Sequence, residues 1–310
     1  MEQGMIDRTL ADLIDMDDSA TVLKEVKAIF AMMFPDSECD MVEKVFYDIQ
    51  RLFKGDYPGY RKCTTQYHDL KHVTDTFLAM SRLIHGAVVS GEQLSSAQAT
   101  LGLICALMHD TGYIQTIDDN TGTGAKYTGK DTTRSIAFMD AYITDNKLPI
   151  EDFTHYADIL ICAGLDTKVS ELHFASHQIA LLGKMLGTAD LMGQMADRTY
   201  LEKLLLLYAE FREGEITDYK DELDLLKKTK GFYERIKERL SSELGGVSDY
   251  VQYHFKVRWN IDRNLYTEAI ESNVNYLNYI LKNHEKDYRR HLRREKIMKR
   301  LKRRGEDVGD

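Results

Sequence analysis

The chain has 310 residues, of which 43% are apolar and 29% are charged, and its formal net charge at pH 7 is −9. This length and balance predict a soluble globular protein with one large domain, or a domain with an extension. Residues 1–280 carry 29 basic and 44 acidic side chains. Because this part of the chain is strongly acidic, it would repel nucleic acid, and binding of the main domain to nucleic acid is unfavourable.

Membrane and secretion signals are missing from the sequence. No apolar run approaches the ~18 residues that a membrane-spanning helix needs. The first 18 residues are acidic and lack the basic and apolar segments of a signal peptide. The four cysteines, at positions 39, 63, 105 and 162, form no CxxC pair. We therefore expect a cytoplasmic protein with reduced thiols and no membrane span.

The predicted fold class is all-α. Only three prolines occur, which permits long uninterrupted helices. Apolar residues recur at i, i+3 and i+4 through most of the chain, and alternating strand patterns are nearly absent. Up to residue 212, helices are predicted at about 19–34, 36–53, 68–89, 92–109, 131–147, 151–164, 174–194 and 196–212. The longest irregular stretch is the polar loop 111–130.

Three regions are predicted: an N-terminal helical segment (1–39), a main domain (40–215) and a helical extension (216–310). We expect the extension to break at Gly231 and within 241–249. Residues 281–304 hold 12 Lys or Arg and 3 Asp or Glu. This basic tail is interpreted as a solvated helix that pairs with the acidic body, or as a contact for nucleic acid, anionic lipid or a partner chain. The C-terminal helices could also form a homo-oligomer.

Two histidines one helical turn apart stand in the stretch YHDLKHV, residues 67–73. His68 and His72 would share one helix face, where a buried imidazole pair needs partners for its ring nitrogens. Binding a metal ion or a substrate meets that need. His109 and Asp110 follow the apolar segment TLGLICALM and form a second candidate. The alternative interpretation of these two residues is structural: the helix dipole favours His109 at the end of the helix, and Asp110 starts a turn.

An acidic residue in an apolar segment completes the set. Asp190 lies within GKMLGTADLMGQMADR, where a carboxylate is costly to bury unless it is paired or bound to a cation. Divalent ions favour imidazole nitrogens and carboxylate oxygens that converge from several elements. Alternatively, Asp190 forms a buried salt bridge, or it lies at the rim of the apolar core. Asp197 is a competitor, but its place at the head of the next helix suits an N-terminal cap.

The order H…HD…D, with the first histidine inside YHDLKH, resembles the HD-domain metal-dependent phosphohydrolases. Within them the chain is most similar to the catalytic domain of cyclic-nucleotide phosphodiesterases, whose helix carries YHNxxH. The TAD setting of Asp190 is similar as well. The resemblance covers roughly residues 40–215 and implies an HD-type helical bundle with a C-terminal extension.

The resemblance also implies a chemistry. His72, His109, Asp110 and Asp190 would hold a first divalent ion, and Asp110 would bridge to a second; Zn, Fe, Mn, Ni and Mg are the candidates. His68 and Asp110 would be the catalytic residues, with His68 as general acid. The implied reaction is hydrolysis of a small-molecule phosphoester by metal-activated water, and the implied substrate class is a nucleotide, with cyclic nucleotides among the options.

Three positions differ from the related enzymes. Asp69 stands where the phosphodiesterases have Asn, and Tyr113 stands where they have another His. Some HD proteins place a His near the position of Asp131. No counterpart of the purine-binding glutamine is evident, so a cyclic nucleotide is one option among several. The candidate substrate contacts are Asp69, Lys130, Asp131 and Arg134.

Two alternatives stay open. The stretch GAKYTGKD, residues 124–131, differs by one residue from the P-loop pattern, but a polar segment precedes it and Asp131 replaces the hydroxyl residue. The second alternative is a non-catalytic HD module that binds a nucleotide or a partner in signalling. Such a module needs no general acid, so His68 beside a full ligand set favours an enzyme.

Overall fold

The computed structural model describes residues 8–149 and 153–292. Across these residues the predicted all-α class is confirmed, because they form helices and no strand. One isolated bridge pairs Tyr60 with Thr116. The helices are α1 (Ser19–Met33), α2 (Asp40–Lys54), α3 (Leu70–Ser90), α4 (Ser96–Met108), α5 (Asp131–Asp145), α6 (Tyr156–Leu160), α7 (His177–Ala196), α8 (Tyr200–Glu213), α9 (Glu222–Ser241), α10 (Tyr250–Trp259), α11 (Leu265–Asn283) and α12 (Tyr288–His291).

Short polar side chains set several helix starts. Asp18, Ser95 and Ser176 accept hydrogen bonds from backbone N–H groups in the first turns of α1, α4 and α7. These bonds satisfy donors that have no partner inside the helix. The predicted helix at 151–164 is shorter in the structure, where α6 is followed by a 3-10 turn at Ile161–Ala163. Residues 150–152 lie outside the described residues.

The predicted break at Gly231 is wrong, because α9 runs through it without interruption. The sequence-based expectation followed the low helix propensity of glycine, which the packing of the helix overrides. The predicted break within 241–249 is confirmed. There Gly245 and Gly246 adopt φ of 65° and 70°, the left-handed region that glycine enters without strain, and α10 starts at Tyr250.

Helix α3 lies at the centre of the fold. Every residue from His72 to Ala87 is buried, and α1, α4, α7 and α10 all pack against it. A helix that is covered on every side is part of the core rather than of the surface. His72 lies in the first turn of α3, but His68 precedes the helix, which is capped by Asp69. The predicted helix start at about residue 68 is therefore wrong by two residues, and of the two histidines only His72 is on the helix.

The region predicted as a C-terminal extension packs on this centre. α10 packs against α3, and α11 packs against α7. A single cluster of buried apolar side chains runs from Leu10 to Leu292. The boundary at residue 215 stays a prediction, and the helices on both sides of it share one core. Most of the basic tail, residues 293–310, lies outside the described residues.

Helices α3 and α10 approach most closely at Gly86, where a Cβ would lie 1.8 Å from the carbonyl oxygen of Tyr250. We expect Gly86→Ala to lower the free energy of unfolding by about 1–3 kcal/mol, because the two helices would have to separate. Gly231→Ala is the matched control, since a Cβ there meets no described atom within 4 Å. It should stabilise α9 by about 0.5–1 kcal/mol. Urea unfolding followed by circular dichroism measures both, and equal effects would contradict the close crossing.

The structure bears on two of the expectations, that the chain has no membrane span and that its cysteines are reduced thiols. Among residues 8–149 and 153–292, no helix has both the length and the apolar character needed to cross a membrane. All four cysteines lie in this part of the chain, and all four are free thiols. Two of them, Cys105 and Cys162, are buried in the core.

Candidate metal centre

Four side chains from three helical regions meet at the N-terminal end of α3: His72, His109, Asp110 and Asp190, here called the central cluster. His72 Nε2 lies 3.1 Å from Asp110 Oδ2, 3.2 Å from Asp190 Oδ1 and 3.2 Å from His109 Nε2. His109 Nε2 lies 3.4 Å from Asp110 Oδ2 and 3.7 Å from Asp190 Oδ1. The ligand atoms of His72, His109 and Asp110 all lie within 4.8 Å of one another. The structure thus brings the four predicted ligands together.

The turn after α4 is held in place by α5. Ser135 Oγ donates to the His109 carbonyl oxygen at 2.5 Å and accepts from the Gly112 N–H at 2.9 Å. Gly112 lets the two segments touch, because a Cβ there would lie 1.9 Å from the Asp131 carbonyl oxygen. This close packing fixes where His109 and Asp110 stand relative to α3.

The tautomer of His109 favours metal binding. Its Nδ1 lies 2.8 Å from the Ala106 carbonyl oxygen, which can only accept, so Nδ1 carries a proton. In the neutral ring, Nε2 then presents a lone pair to the central cluster. A backbone carbonyl bound to the far nitrogen is the usual way to orient a histidine ligand.

The central cluster fits a divalent ion. Asp110 Oδ2 is buried and makes no hydrogen bond to any described residue, although His72 Nε2 lies 3.1 Å away. Lone pairs that face one another at such distances need a positive charge between them. Ligand atoms around a tetrahedral ion with bonds of about 2.0–2.1 Å lie roughly 3.3 Å apart, close to the separations around His72 Nε2.

Electrostatics in the central cluster also favour a cation. Burial by itself would lower the pKa of His72, but the close carboxylates of Asp110 and Asp190 outweigh it and raise this pKa to about 10. Burial by itself would raise the pKa of Asp110, but His109 and His72 lower it to about 2. Both effects mean that the carboxylates are ionised and attract positive charge, which a bound divalent ion would supply in place of protons.

Asp190 is oriented by a chain of polar contacts. Gln194 Nε2 donates to Asp190 Oδ1 at 3.0 Å, and the Tyr67 hydroxyl donates to Gln194 Oε1. Tyr67 precedes the predicted general acid, so this chain ties α7 to the segment before α3. Outer contacts of this kind fix the orientation of ligating carboxylates.

His68 forms a pair with Glu210, which sequence reasoning missed. His68 Nδ1 lies 2.7 Å from Glu210 Oε2, and Glu210 Oε1 accepts the N–H groups of Gln66 and Tyr67 at 2.6 Å each. The His68 ring stacks on Tyr113 with centroids 4.3 Å apart and planes at 11°. The carboxylate and the stacked ring together fix the orientation of the imidazole.

Glu210 sets the protonation of His68. Burial by itself would lower the pKa of His68, but the hydrogen bond and the charge of Glu210 raise it above the usual value. One signal could have revealed Glu210 in the sequence. It follows Leu206 by one helical turn, so a carboxylate occupies the buried face of α8.

Two of the candidate substrate contacts have structural roles. Asp69 caps α3, since its Oδ1 accepts the His72 N–H at 3.0 Å. Arg134 donates from Nε to the Gly112 carbonyl oxygen at 2.6 Å and from Nη2 to that of Ile114 at 2.9 Å. Its guanidinium therefore holds the turn after His109, and a contact with substrate stays a prediction for both residues.

The other two candidate contacts lie at the start of α5. Lys130 is exposed directly before the helix. Asp131 is half-buried, and its Oδ1 accepts the Gly129 N–H at 2.9 Å. Burial and the nearby charge of Asp110 raise the pKa of Asp131. A contact of Asp131 with substrate stays a prediction.

Two of the competing sequence interpretations, the P-loop and Asp197 as a ligand, find no support in the geometry. In the described part of the chain no strand precedes Gly124–Tyr127, which forms a 3-10 turn, so the P-loop alternative lacks the strand that it needs. Asp197 Oδ1 accepts from the N–H and hydroxyl of Thr199, and its Oδ2 lies 2.7 Å from Lys203 Nζ. It therefore belongs to an ion pair and not to the central cluster.

No family model matches the chain, and no curated protein matches it in sequence. Its residues and their geometry must therefore carry any functional assignment.

Proposed function

We propose that the chain is an HD-type metal-dependent phosphohydrolase that cleaves a phosphoester of a nucleotide, cyclic or linear. The observation that carries the proposal is the central cluster at the N-terminal end of α3, together with His68, which lies just before α3 and pairs with Glu210 of α8. A purely structural protein would have no use for so many buried, mutually close ionisable groups, because burying them without a cation is unfavourable.

The central cluster would hold one divalent ion, and two imidazoles with two carboxylates suit Zn, Fe, Mn or Ni better than Ca. The resemblance to HD-domain phosphohydrolases also implies a second ion bridged by Asp110, for which Mg is a further candidate. When bound, such ions make water a better nucleophile and neutralise charge on the phosphoryl group.

His68 would act as the general acid. Its Nδ1 is bound to Glu210, so the proton that it can give away sits on Nε2. The raised pKa favours the protonated ring, which is the form that can protonate a departing oxygen. The ring of Tyr113 and the carboxylate of Glu210 hold the donor in one orientation.

A panel of substrates tests the proposal. Metal-loaded protein is incubated with cyclic, linear and mononucleotide phosphates, and product is followed by chromatography. We expect at least one of them to be hydrolysed, with no turnover after the metal is removed by a chelator. Binding of a nucleotide without release of product from any of them would contradict an enzyme and favour the non-catalytic module.

Replacement of Glu210 should move the pH dependence of hydrolysis. Protonated His68 is lost as the pH rises through its pKa, so the rate falls on the alkaline side. Glu210→Gln removes the charge that raises this pKa and leaves the opposing effect of burial, so the alkaline limb should move to lower pH with metal content unchanged. Profiles of kcat/KM against pH, with the ring nitrogen shifts of His68 followed by NMR, measure this. If the alkaline limb of the pH profile does not move in Glu210→Gln, the positioning role of Glu210 towards His68 is contradicted.

A further inference from the structure

A second set of metal-type ligands lies on the surface at the end of α11. We propose that His284, Asp287 and His291 bind a first-row transition-metal ion, such as Zn²⁺, Ni²⁺ or Cu²⁺, in a site independent of the central cluster. The three residues lie in the segment that leads from α11 through a 3-10 turn, Glu285–Asp287, into α12, and the structure brings their side chains together.

The distances among the three side chains support the site. His291 Nε2 lies 3.4 Å from Asp287 Oδ2, and His284 Nδ1 lies 3.9 Å from Asp287 Oδ1. One ligand atom from each residue lies within 4.8 Å of the other two. The two imidazoles stack with centroids 3.7 Å apart and planes at 21°. The carboxylate therefore faces one nitrogen of each ring.

The contact with a neighbouring tyrosine is compatible with the tautomer of His284 that binds metal through Nδ1. Its Nε2 lies 3.3 Å from the Tyr279 hydroxyl. With a proton on Nε2 that is donated to this hydroxyl oxygen, the neutral ring presents the lone pair of Nδ1 towards Asp287. Tyr279 then plays the part that a hydrogen-bond acceptor plays behind most histidine ligands.

The backbone around the site is held without an ion. The Tyr276 hydroxyl donates to the His291 carbonyl oxygen at 2.8 Å. Arg289, between two of the ligands, pairs with Glu222 of α9 at 2.7 Å. The ligands are therefore near one another before binding, and little ordering is required of them.

Ligand type and exposure indicate the class of ion. Two imidazoles and one carboxylate suit Zn²⁺, Ni²⁺ and Cu²⁺, whereas Ca²⁺ and Mg²⁺ prefer oxygen ligands. The side chains of His284, Asp287 and His291 are 29%, 45% and 32% exposed, so an ion can enter and keep water as a further ligand. Lys286 and Arg290 add positive charge nearby, so this site should fill after the central cluster.

Titration of the full-length protein with Zn²⁺ alone tests the site. The metal is first removed with a chelator, and His109→Ala serves as the background that weakens the central cluster. In that background we expect one equivalent of Zn²⁺ to bind, and a further His291→Ala change should weaken this binding at least about tenfold. Calorimetry measures the stoichiometry and the affinity. Equal Zn²⁺ binding with and without His291 would overturn the proposal.

A matched control separates the site from ordinary surface histidines. His155 Nδ1 lies 3.3 Å from Asp158 Oδ2, with exposures of 39% and 46%, and among the described residues this pair belongs to no three-ligand group. His155→Ala should leave Zn²⁺ binding unchanged. In the same His109→Ala background, Cu²⁺ electron paramagnetic resonance should show coupling to two nitrogens. Coupling to one nitrogen, or none, would contradict the assigned ligand set.

Discussion

His68→Ala should lose hydrolysis by roughly 10²–10⁴-fold, the usual contribution of a general acid, while it keeps its metal. His68 is bound to Glu210 at 2.7 Å, and its ring centroid lies 5.8 Å from that of His72. Removing it therefore takes away a proton donor and leaves the central cluster intact. Metal loss in His68→Ala would make His68 a ligand instead.

The leaving group distinguishes a proton donor from a residue that only shapes the site. A nitrophenyl ester has an acidic leaving group and needs little protonation, so His68→Ala should lose less activity on it than on a nucleotide substrate. The activities of wild type and variant are compared on both substrates at equal metal content. Losses of the same size on both would deny His68 the role of general acid. The surface variant His155→Ala should match the wild type on both.

Asp190→Asn should lose the bound ion and the activity together. The change keeps the shape of the side chain but removes one of the two charges that draw a cation to His72 and His109. Removal of a direct ligand should weaken metal binding by more than the roughly 10–100-fold that loss of an outer contact costs. Elemental analysis after gel filtration measures the metal. His72→Ala should behave in the same way.

Asp197→Asn is the matched control for this prediction. Asp197 is buried near the end of the same helix, but it pairs with Lys203 and lies outside the central cluster. Its replacement should lower stability, because a buried lysine loses its partner, and it should leave the metal content unchanged. If Asp190→Asn retained a full equivalent of metal, or if Asp197→Asn lost it, the assigned ligand set would be contradicted.

Much of the fold follows from local patterns in the sequence. Helical periodicity is enough to place most helices, and the structure shows that side chains such as Asp18, which caps α1, set where they begin. The wrong expectation at Gly231 shows the limit of that reasoning. Helix propensity concerns one residue at a time, whereas α9 is also stabilised by its packing against α8 and α11.

The candidate site was predictable only in part. The apolar neighbours of Asp190 and the resemblance to a known order of motifs both point to that residue, whereas only the helical spacing from Leu206 points to Glu210. Charged residues are frequent in α8, and which of them is buried depends on helices far away in the chain. The position of Arg134 just after a polar loop suggests a phosphate contact. Only the folded structure shows that two backbone carbonyl oxygens take its donors.

The complete enclosure of α3 makes the order of synthesis important. α3 ends at Ser90, whereas α10, which covers one of its sides, begins only at Tyr250. A chain still emerging from the ribosome must therefore carry α3 with that side uncovered while most of the protein is made. The helix that presents His72 reaches its final packing only when the late helices arrive. We therefore expect metal loading to follow translation, and nascent chains that stop before α10 to need protection from aggregation.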